Sequence, residues 1–144
     1  MIIDRYCRLK IVTIADIVRQ SRFWIVKQYR MIQPLLCKIT RSLGIYDHCW
    51  TLVLRITDDS MCSVECIVHN NVLVEFLGCT VNDCVRLRET NDLRALRQCQ
   101  SRATEMERIV QRMDLVMLVE FPPLYSSAPS IVKISNLPSL LSTS

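Results

Sequence analysis

Glycine is scarce in this sequence: the 144 residues contain two, Gly44 and Gly78. The phosphate-binding loop and the dinucleotide fingerprint each need several glycines at fixed spacing, because the backbone must approach phosphate oxygens closely. The chain therefore carries neither motif.

Histidine is equally scarce, with His48 and His69 alone. A histidine base needs its partner within hydrogen-bond reach, but neighbours on a strand such as His48 and Cys49 point to opposite faces. Cys62, Cys66 and His69 are the best metal ligands on offer, yet strand residues four apart are separated by about 13 Å. We expect no enzyme activity, no metal and no cofactor.

Long hydrophobic runs are missing too, since no apolar stretch approaches the ~18 residues that span a bilayer. The first ten residues, MIIDRYCRLK, lack the apolar core of a secretory signal. We therefore expect no membrane partner and a reducing compartment. There the eight cysteines are interpreted as small buried hydrophobic residues.

The net charge of +4 is unevenly placed. Residues 1–42 have a balance of +7, whereas residues 43–144 have a balance of −3. A basic amino-terminal third is typical of contact with nucleic acid or an acidic partner, although most such charges simply face solvent.

The sharpest pattern lies between Cys49 and Gly78. Trp50, Leu52, Leu54 and Ile56 alternate with more polar residues, which is the period of a half-buried strand. Residues 57–60, Thr-Asp-Asp-Ser, supply turn chemistry, and alternation resumes from residue 62 to residue 68. The pattern predicts an antiparallel β-hairpin.

Before the hairpin, residues 13–20 predict a helix with Thr13 as cap and an apolar face of Ile14, Ile17 and Val18. Residues 24–40 favour a strand interrupted by Pro34. Its predicted face consists of Tyr29, Met31, Leu35, Cys37 and Ile39. A loop is predicted over residues 41–48.

After the hairpin, residues 72–77 fit either a third strand or a helix that ends at Gly78, and the helix is preferred. A helical turn is predicted over residues 80–85. A long helix follows from Asp92, capped by Thr90 or Asn91, with apolar residues every three or four positions to Met113.

The last third predicts a strand over residues 115–121, a loop to residue 130, a strand over residues 131–135 and a tail over 137–144 that docks weakly or frays. The order is helix, three strands, helical segment, two strands. It predicts one domain over residues 1–144, with its core over 13–136. The fold class is all-β with inserted helices (α+β), a five-stranded oligonucleotide/oligosaccharide-binding (OB) barrel with a helical segment between strands three and four.

Short blocks of the chain resemble the carboxy-terminal OB domain of the RecQ-mediated genome instability protein 1 family. They are ITDDS at 56–60, VEFLG at 74–78, CTVNDCVRL at 79–87, RQCQ at 97–100 and LVMLVEFPP at 115–123, within a similarity that runs from Tyr6 to Leu137. The resemblance implies a non-catalytic nuclear scaffold that pairs with a second OB-fold subunit. It also implies work with topoisomerase III and a Bloom-type helicase in double Holliday junction dissolution, and docking of a Fanconi anaemia M-type peptide.

The chain departs from that family in two respects. It has no counterpart of the amino-terminal region through which longer members contact topoisomerase and helicase. About eight residues follow the last strand, where the family has a longer helix. If that helix helps to hold the second subunit, pairing is expected to be either weaker or built differently.

An interface is predicted where apolar residues exceed what a small barrel can bury. Its candidates are Met106, Ile109, Val110, Met113, Leu137, Leu140 and Leu141.

The alternative is a single-stranded nucleic-acid-binding module, in which aromatic side chains stack on bases over a basic groove. Its candidate contacts are Arg22, Lys27, Arg30, Lys38 and Arg55, beside the aromatics Trp24, Tyr29, Tyr46 and Trp50. Trp50 shares the phase of the buried row, so it is assigned to the core. Aromatic residues make up 6% of the chain, which favours weak or absent direct nucleic-acid binding.

Overall fold

A computed structural model describes residues 7–123 and 127–142. These residues form six strands and five helices, and the α+β class is confirmed. In chain order they are α1 (Ile14–Ser21), β1 (Gln28–Ile32), β2 (Leu36–Tyr46), β3 (Cys49–Thr57), β4 (Ser63–Val68), α2 (Asn70–Leu77), α3 (Val81–Glu89), α4 (Leu93–Ile109), β5 (Leu115–Phe121), β6 (Ser130–Asn136) and α5 (Leu137–Ser142). Parts of the predicted 122–130 loop and the end of the predicted tail lie outside the described residues, as does Tyr6.

All six strands belong to one mixed sheet in the order β1-β5-β6-β4-β3-β2. Four of the five pairings are antiparallel, and β4 runs parallel to β6. Because β5 and β6 return beside β1 and β4, the amino- and carboxy-terminal thirds of the chain share one sheet.

The predicted hairpin is confirmed as β3 and β4, which pair from Val53 opposite Ile67 to Thr57 opposite Ser63. The inward row of β3, from Trp50 to Ile56, is buried, and Leu52 and Leu54 are fully so. Cys66 and Val68 continue this interior on β4. The period-two pattern therefore sets both the register and the buried face.

The hairpin turn also holds helix α1 in place. The buried carboxylate of Asp58 accepts hydrogen bonds from the backbone N–H of Ile14 (2.7 Å) and of Ser60 (3.1 Å). The Ser60 hydroxyl accepts from the N–H of Ala15 (3.3 Å). The first N–H groups of a helix have no partner within the helix, so this turn supplies the cap from 44 residues away.

Helix α1 confirms the prediction for residues 13–20, and Thr13 caps it by accepting from the N–H of Asp16. Ile14 and Ile17 are buried as expected, but Val18 is 56% exposed, and Ser21 is buried instead. The predicted apolar face was therefore wrong at Val18.

The predicted single strand over 24–40 is two strands, β1 and β2, separated at residues 33–35. Pro34 lies at the break, as expected, because proline cannot donate to a β-ladder. The change of direction also alters the buried face: Ile32 is fully buried, whereas Tyr29 and Leu35 are exposed. The five-strand count was therefore wrong, and the six-stranded sheet is not closed into a barrel among the described residues. The predicted face was wrong at Tyr29 and Leu35, whereas Cys37 is buried as expected.

The loop predicted over 41–48 was also wrong, because β2 continues to Tyr46. Register shifts occur between Ile39 and Arg41 and between Arg41 and Gly44, and such irregularities remove the period-two signal. Asp47 and His48 then form a tight turn with φ of 51° and 62°, the left-handed geometry of hairpin turns.

The helix preferred over residues 72–77 is confirmed as α2, which ends at Gly78 with φ of 73°. The predicted turn after residue 80 is a longer helix, α3, whose first residues are held by a capping box between Thr80 and Asp83. Helix α4 begins after Asp92, which is its cap in place of the predicted Thr90 or Asn91. The predicted strands over 115–121 and 131–135 are confirmed as β5 and β6, and α5 forms in the predicted tail.

We expect Asp58→Ala to lower the free energy of unfolding by about 1–3 kcal/mol, because buried N–H groups of α1 and of the turn lose their acceptor. Asp59→Ala, at an exposed position next to it, should change stability by less than about 0.5 kcal/mol. Urea unfolding of both variants measures the difference. Equal stability of the two variants would contradict the role of Asp58.

The buried thiols predict a loss of stability at alkaline pH. Burial raises the pKa of Cys66 from 9.0 to about 12 and that of Cys37 to about 11. A raised pKa in the folded state means that the stabilisation is complete below pH 9 and is lost as pH rises through the folded values. The loss is at most about 1.4 kcal/mol per pH unit for each thiol.

Urea unfolding at several pH values from 8 to 11 tests this expectation. Cys66→Val should give a shallower decline than the unmodified protein, while Cys49→Val at the surface should keep the original slope. An unchanged slope in Cys66→Val would contradict the assignment.

Candidate protein-binding site

A groove of about 710 Å³ lies between α2, α4 and β6, and we call it the α2–β6 groove. Its apolar lining consists of Val72 and Phe76 of α2, Met106 and Ile109 of α4, Leu115 of β5, and Val132 and Ile134 of β6. The α2 pair is spaced i, i+4 and the α4 pair i, i+3, so each pair projects from one helix face. The helical periodicity that predicted the apolar stripe therefore also builds two walls of the groove.

The β6 wall of the groove is an uncovered strand edge. Parallel pairing with β4 covers Ser130 and Ile131, and the N–H of His69 donates to the carbonyl of Ile131 (2.9 Å). The chain then enters α2 at Asn70 and leaves the sheet. From residue 132 onward, β6 therefore has a strand neighbour on its β5 side only, within the described residues.

The antiparallel ladder indicates which backbone groups face the groove. The N–H of Leu137 donates to the carbonyl of Asp114 (2.7 Å), and hydrogen-bonded pairs alternate along such a ladder. Ser135 and Lys133 thus bond to β5. The N–H and C=O groups of Ile134 and Asn136 point away from β5, toward the uncovered edge.

The side chain of Asn136 lines the groove and has a hydrogen-bond acceptor to which no described residue donates. Its side-chain Nδ2 donates to Oδ2 of Asp114 (3.3 Å). Its Oδ1 is buried and has no hydrogen-bond partner among the described residues. A carboxylate can only accept, so contact with Asp114 fixes the orientation of the amide. A donor brought by a ligand would complete this site.

The rim of the groove carries charges of both signs. Glu75 of α2 and Lys133 of β6 are exposed and line the groove. Arg112 also lines it and donates to both carboxylate oxygens of Asp114. An apolar centre surrounded by a charged rim is the usual arrangement of a protein interface.

The predicted interface residues divide into three groups. Met106 and Val110 are 2% and 0% exposed, so they belong to the core, although Met106 still contributes to a groove wall. Ile109 is half-buried in the groove, and Met113 is 64% exposed. Leu137, Leu140 and Leu141 are half-buried in α5, which directly follows β6.

The sequence analysis did not predict a second apolar surface. Phe23, Ile25 and Val26, which connect α1 to β1, are 70%, 81% and 59% exposed. Trp24 between them is buried and meets Phe121 edge-on, with ring centroids 5.7 Å apart. This α1–β1 surface thus lies at the Phe121 end of β5. The α2–β6 groove extends from the Leu115 end of β5, opposite Asn136, to the middle of the strand, opposite Lys133.

The predicted nucleic-acid contacts do not form one patch. Arg22 lies over the ring of Phe23 and Arg30 over that of Trp24, at 4.9 and 4.8 Å. Lys27 pairs with Glu120 at 3.7 Å. These three cations cluster around the α1–β1 surface.

Lys38 and Arg55 are brought together on the outer face of the sheet. They are direct neighbours on β2 and β3, and Arg55 is also paired with Glu65 of β4, at 3.5 Å. The negative charge of Glu65 reduces the positive potential of this face. The aromatic residue of β2 is Tyr46, and the guanidinium of Arg41 lies 4.9 Å from the centre of its ring.

The other predicted stacking aromatics are engaged or buried. Trp50 is core, as expected, and its Nε1 donates to the carbonyl of Cys79 (3.1 Å). Trp24 is also core. The hydroxyl of Tyr29 donates to Glu120 (2.7 Å), and this hydrogen bond raises the pKa of Tyr29.

The residues weighed for catalysis and metal binding have structural roles or lie apart. His69 caps α2 by accepting from the N–H of Asn71 (3.1 Å), while His48 is an exposed turn residue. Cys66 is buried and Cys62 half-buried. Among residues 7–123 and 127–142, no group of three or more His, Cys, Asp or Glu side chains is arranged to hold a metal ion.

Searches against protein-family models and curated proteins found no match to this chain. Helices able to span a membrane are also absent from the part of the chain that the structure describes.

Proposed function

We propose that this chain is a non-catalytic OB-fold scaffold subunit that binds a second OB-fold protein. The observation that carries the proposal is the α2–β6 groove. There an apolar lining, the uncovered edge of β6 and the unpartnered side-chain oxygen of Asn136 lie together among the described residues. Strand edges recruit a further strand from a partner through backbone hydrogen bonds, and side-chain pockets give such contacts their specificity.

The strand order supports the OB barrel. β1 and β2 are the two ends of the sheet order, yet only residues 33–35 separate them along the chain. The N–H of Leu35 donates to the carbonyl of Thr57 (2.8 Å), so the β2–β3 ladder already extends into this connection. The sheet itself is open, because β1 and β2 do not pair with each other among the described residues. If β1 and β2 are counted as one strand bent at Pro34, the order has five strands, with α2 to α4 inserted between the third and the fourth, as in an OB barrel.

Two separate apolar surfaces support a scaffold rather than a simple dimer subunit. The α1–β1 surface lies at the Phe121 end of β5, and the α2–β6 groove lies beside the half of β5 that begins at Leu115. Exposed apolar patches on small proteins commonly mark interaction sites. A subunit with two such surfaces is able to hold two partners at once.

The resemblance to the RecQ-mediated genome instability family supplies candidate partners. They are the family's second OB-fold subunit, topoisomerase III, a Bloom-type helicase and a Fanconi anaemia M-type peptide. The proposed setting is the nucleus, in double Holliday junction dissolution.

Substitutions in the α2–β6 groove test the proposal. We expect Ile109→Asp to weaken binding of the second OB-fold subunit at least tenfold, because it places a charge in the apolar lining of the groove. Lys133→Glu reverses an exposed rim charge and should lower affinity severalfold without disturbing the fold. Leu140→Asp and Leu141→Asp should reduce partner pull-down through α5.

Leu93→Asp is the matched control, because Leu93 is 62% exposed at the other end of α4. Isothermal titration and light scattering measure affinity and stoichiometry, and circular dichroism verifies the fold of each variant. Unchanged affinity in both Ile109→Asp and Lys133→Glu would contradict the groove as the interface.

Single-stranded nucleic-acid binding is the second candidate, and the adjacent Lys38 and Arg55 favour it. Ion pairing of Arg55 with Glu65 and of Lys27 with Glu120 weakens this case.

We expect an oligothymidine to bind with a dissociation constant above about 10 µM at physiological salt, which is the range of non-specific contacts. Arg30→Glu and Lys38→Glu should leave partner binding within about twofold of the original. Tight binding with a steep salt dependence, lost in these variants, would favour the nucleic-acid module instead.

A further inference from the structure

Two cysteine side chains meet in the helical layer. Sγ of Cys79, in the connection between α2 and α3, lies 3.2 Å from Sγ of Cys99 on α4. Both residues are half-buried, so neither is sealed from solvent. A covalent S–S bond is about 2.0 Å long, and an approach of about 1 Å would therefore bring the two sulfurs to bonding distance.

The surrounding structure holds this pair in place. The carbonyl of Cys79 accepts a hydrogen bond from Nε1 of Trp50 (3.1 Å), which anchors the connection to β3. Nη1 of Arg102, one turn beyond Cys99 on α4, donates to the carbonyl of Leu77 (3.4 Å). Both backbones are thus fixed on either side of the sulfur contact, and the contact does not depend on a mobile loop.

We infer that Cys79 and Cys99 form an oxidation site, which closes to an intrachain disulfide and fastens α4 to the α2–α3 connection. A peroxide serves as the oxidant. One thiolate attacks the peroxide oxygen to give a sulfenic acid and water, and the second thiol displaces a second water as the S–S bond forms. The two thiols thereby lose two electrons and two protons, and hydrogen peroxide becomes two molecules of water.

Three of the other cysteines are placed less well for this reaction. Cys37, Cys66 and Cys84 are buried, so access of the oxidant is poor.

The pKa of Cys79 is raised to about 12, mainly by burial and secondly by the contact with Cys99. Thiolate is therefore rare at Cys79 at neutral pH, and a step that it initiates accelerates about tenfold per pH unit up to that value.

The disulfide would enclose the nineteen residues between Cys79 and Cys99, including all of α3. Closing a loop of this size restricts the unfolded chain, and we expect the oxidised protein to melt about 5–10 °C higher than the reduced protein. The inference is independent of the proposed function, since it concerns the helical layer whatever partner the chain binds.

The test is oxidation of the full chain with hydrogen peroxide at pH 7 and pH 9, followed by alkylation and trypsin digestion. Trypsin releases Cys99 in the short peptide Gln98–Arg102, which has no other cysteine, and Cys79 in the peptide Ile56–Arg86. We expect these two peptides to be joined, the intact mass to fall by about 2 Da and dithiothreitol to reverse both changes.

Matched variants identify the partner of Cys99, because Ile56–Arg86 also contains Cys62, Cys66 and Cys84. Cys79→Ser should abolish the cross-link and the rise in melting temperature, whereas Cys84→Ser should retain both. A cross-link that persists in Cys79→Ser would overturn the inference. So would recovery of Cys99 solely as free thiol or higher oxide after complete peroxide treatment of the folded chain.

Discussion

The inward row of β3 is the constraint on which the rest of the structure depends. Trp50, Leu52, Leu54 and Ile56 are buried together, and a shift of one residue would turn all four toward solvent. Their burial fixes the register of β2 on one side and of β4 on the other. Trp50 also links β3 to the helical layer, because its indole N–H donates to the carbonyl of Cys79 in the α2–α3 connection.

The turn that closes this hairpin carries the constraint to the amino-terminal part of the chain. Asp58 and Ser60 cap α1 in place of acceptors that the helix itself lacks. A buried carboxylate is costly unless several donors surround it, and here the turn and the helix both supply them. The polar contact between α1 and the hairpin is therefore specific in position, whereas apolar packing alone would tolerate sliding.

The sequence predicts those elements whose pattern is local. The alternation of β3, the cap of α1 and the glycine that ends α2 each depend on neighbouring residues, and each was predicted correctly. The extent of β2 was not, because its register shifts interrupt the alternation between Ile39 and Gly44. The buried role of Ile32 was also missed, since it depends on how the chain turns at Pro34.

The candidate site was predictable only in part, for the same reason. The apolar stripe of α4 identified Ile109, because helical periodicity is a property of one segment. The uncovered edge of β6 depends on the sheet order, and the contact between Cys79 and Cys99 depends on how α4 crosses the α2–α3 connection. Neither leaves a signal in one stretch of sequence.

The helical insert explains how a small sheet acquires the α2–β6 groove. β4 and β6 run parallel, so β4 would cover more of β6 if it continued past Val68. Instead His69 and Asn70 start α2, and the backbone groups of β4 that would have met β6 are replaced by the apolar side chains of a helix. A helix cannot supply strand hydrogen bonds, so the edge of β6 from residue 132 to residue 136 keeps its donors and acceptors beside an apolar wall. The early exit of the chain into α2 therefore creates the α2–β6 groove, and the strand-like partner proposed for it would meet backbone groups on one side and apolar side chains on the other.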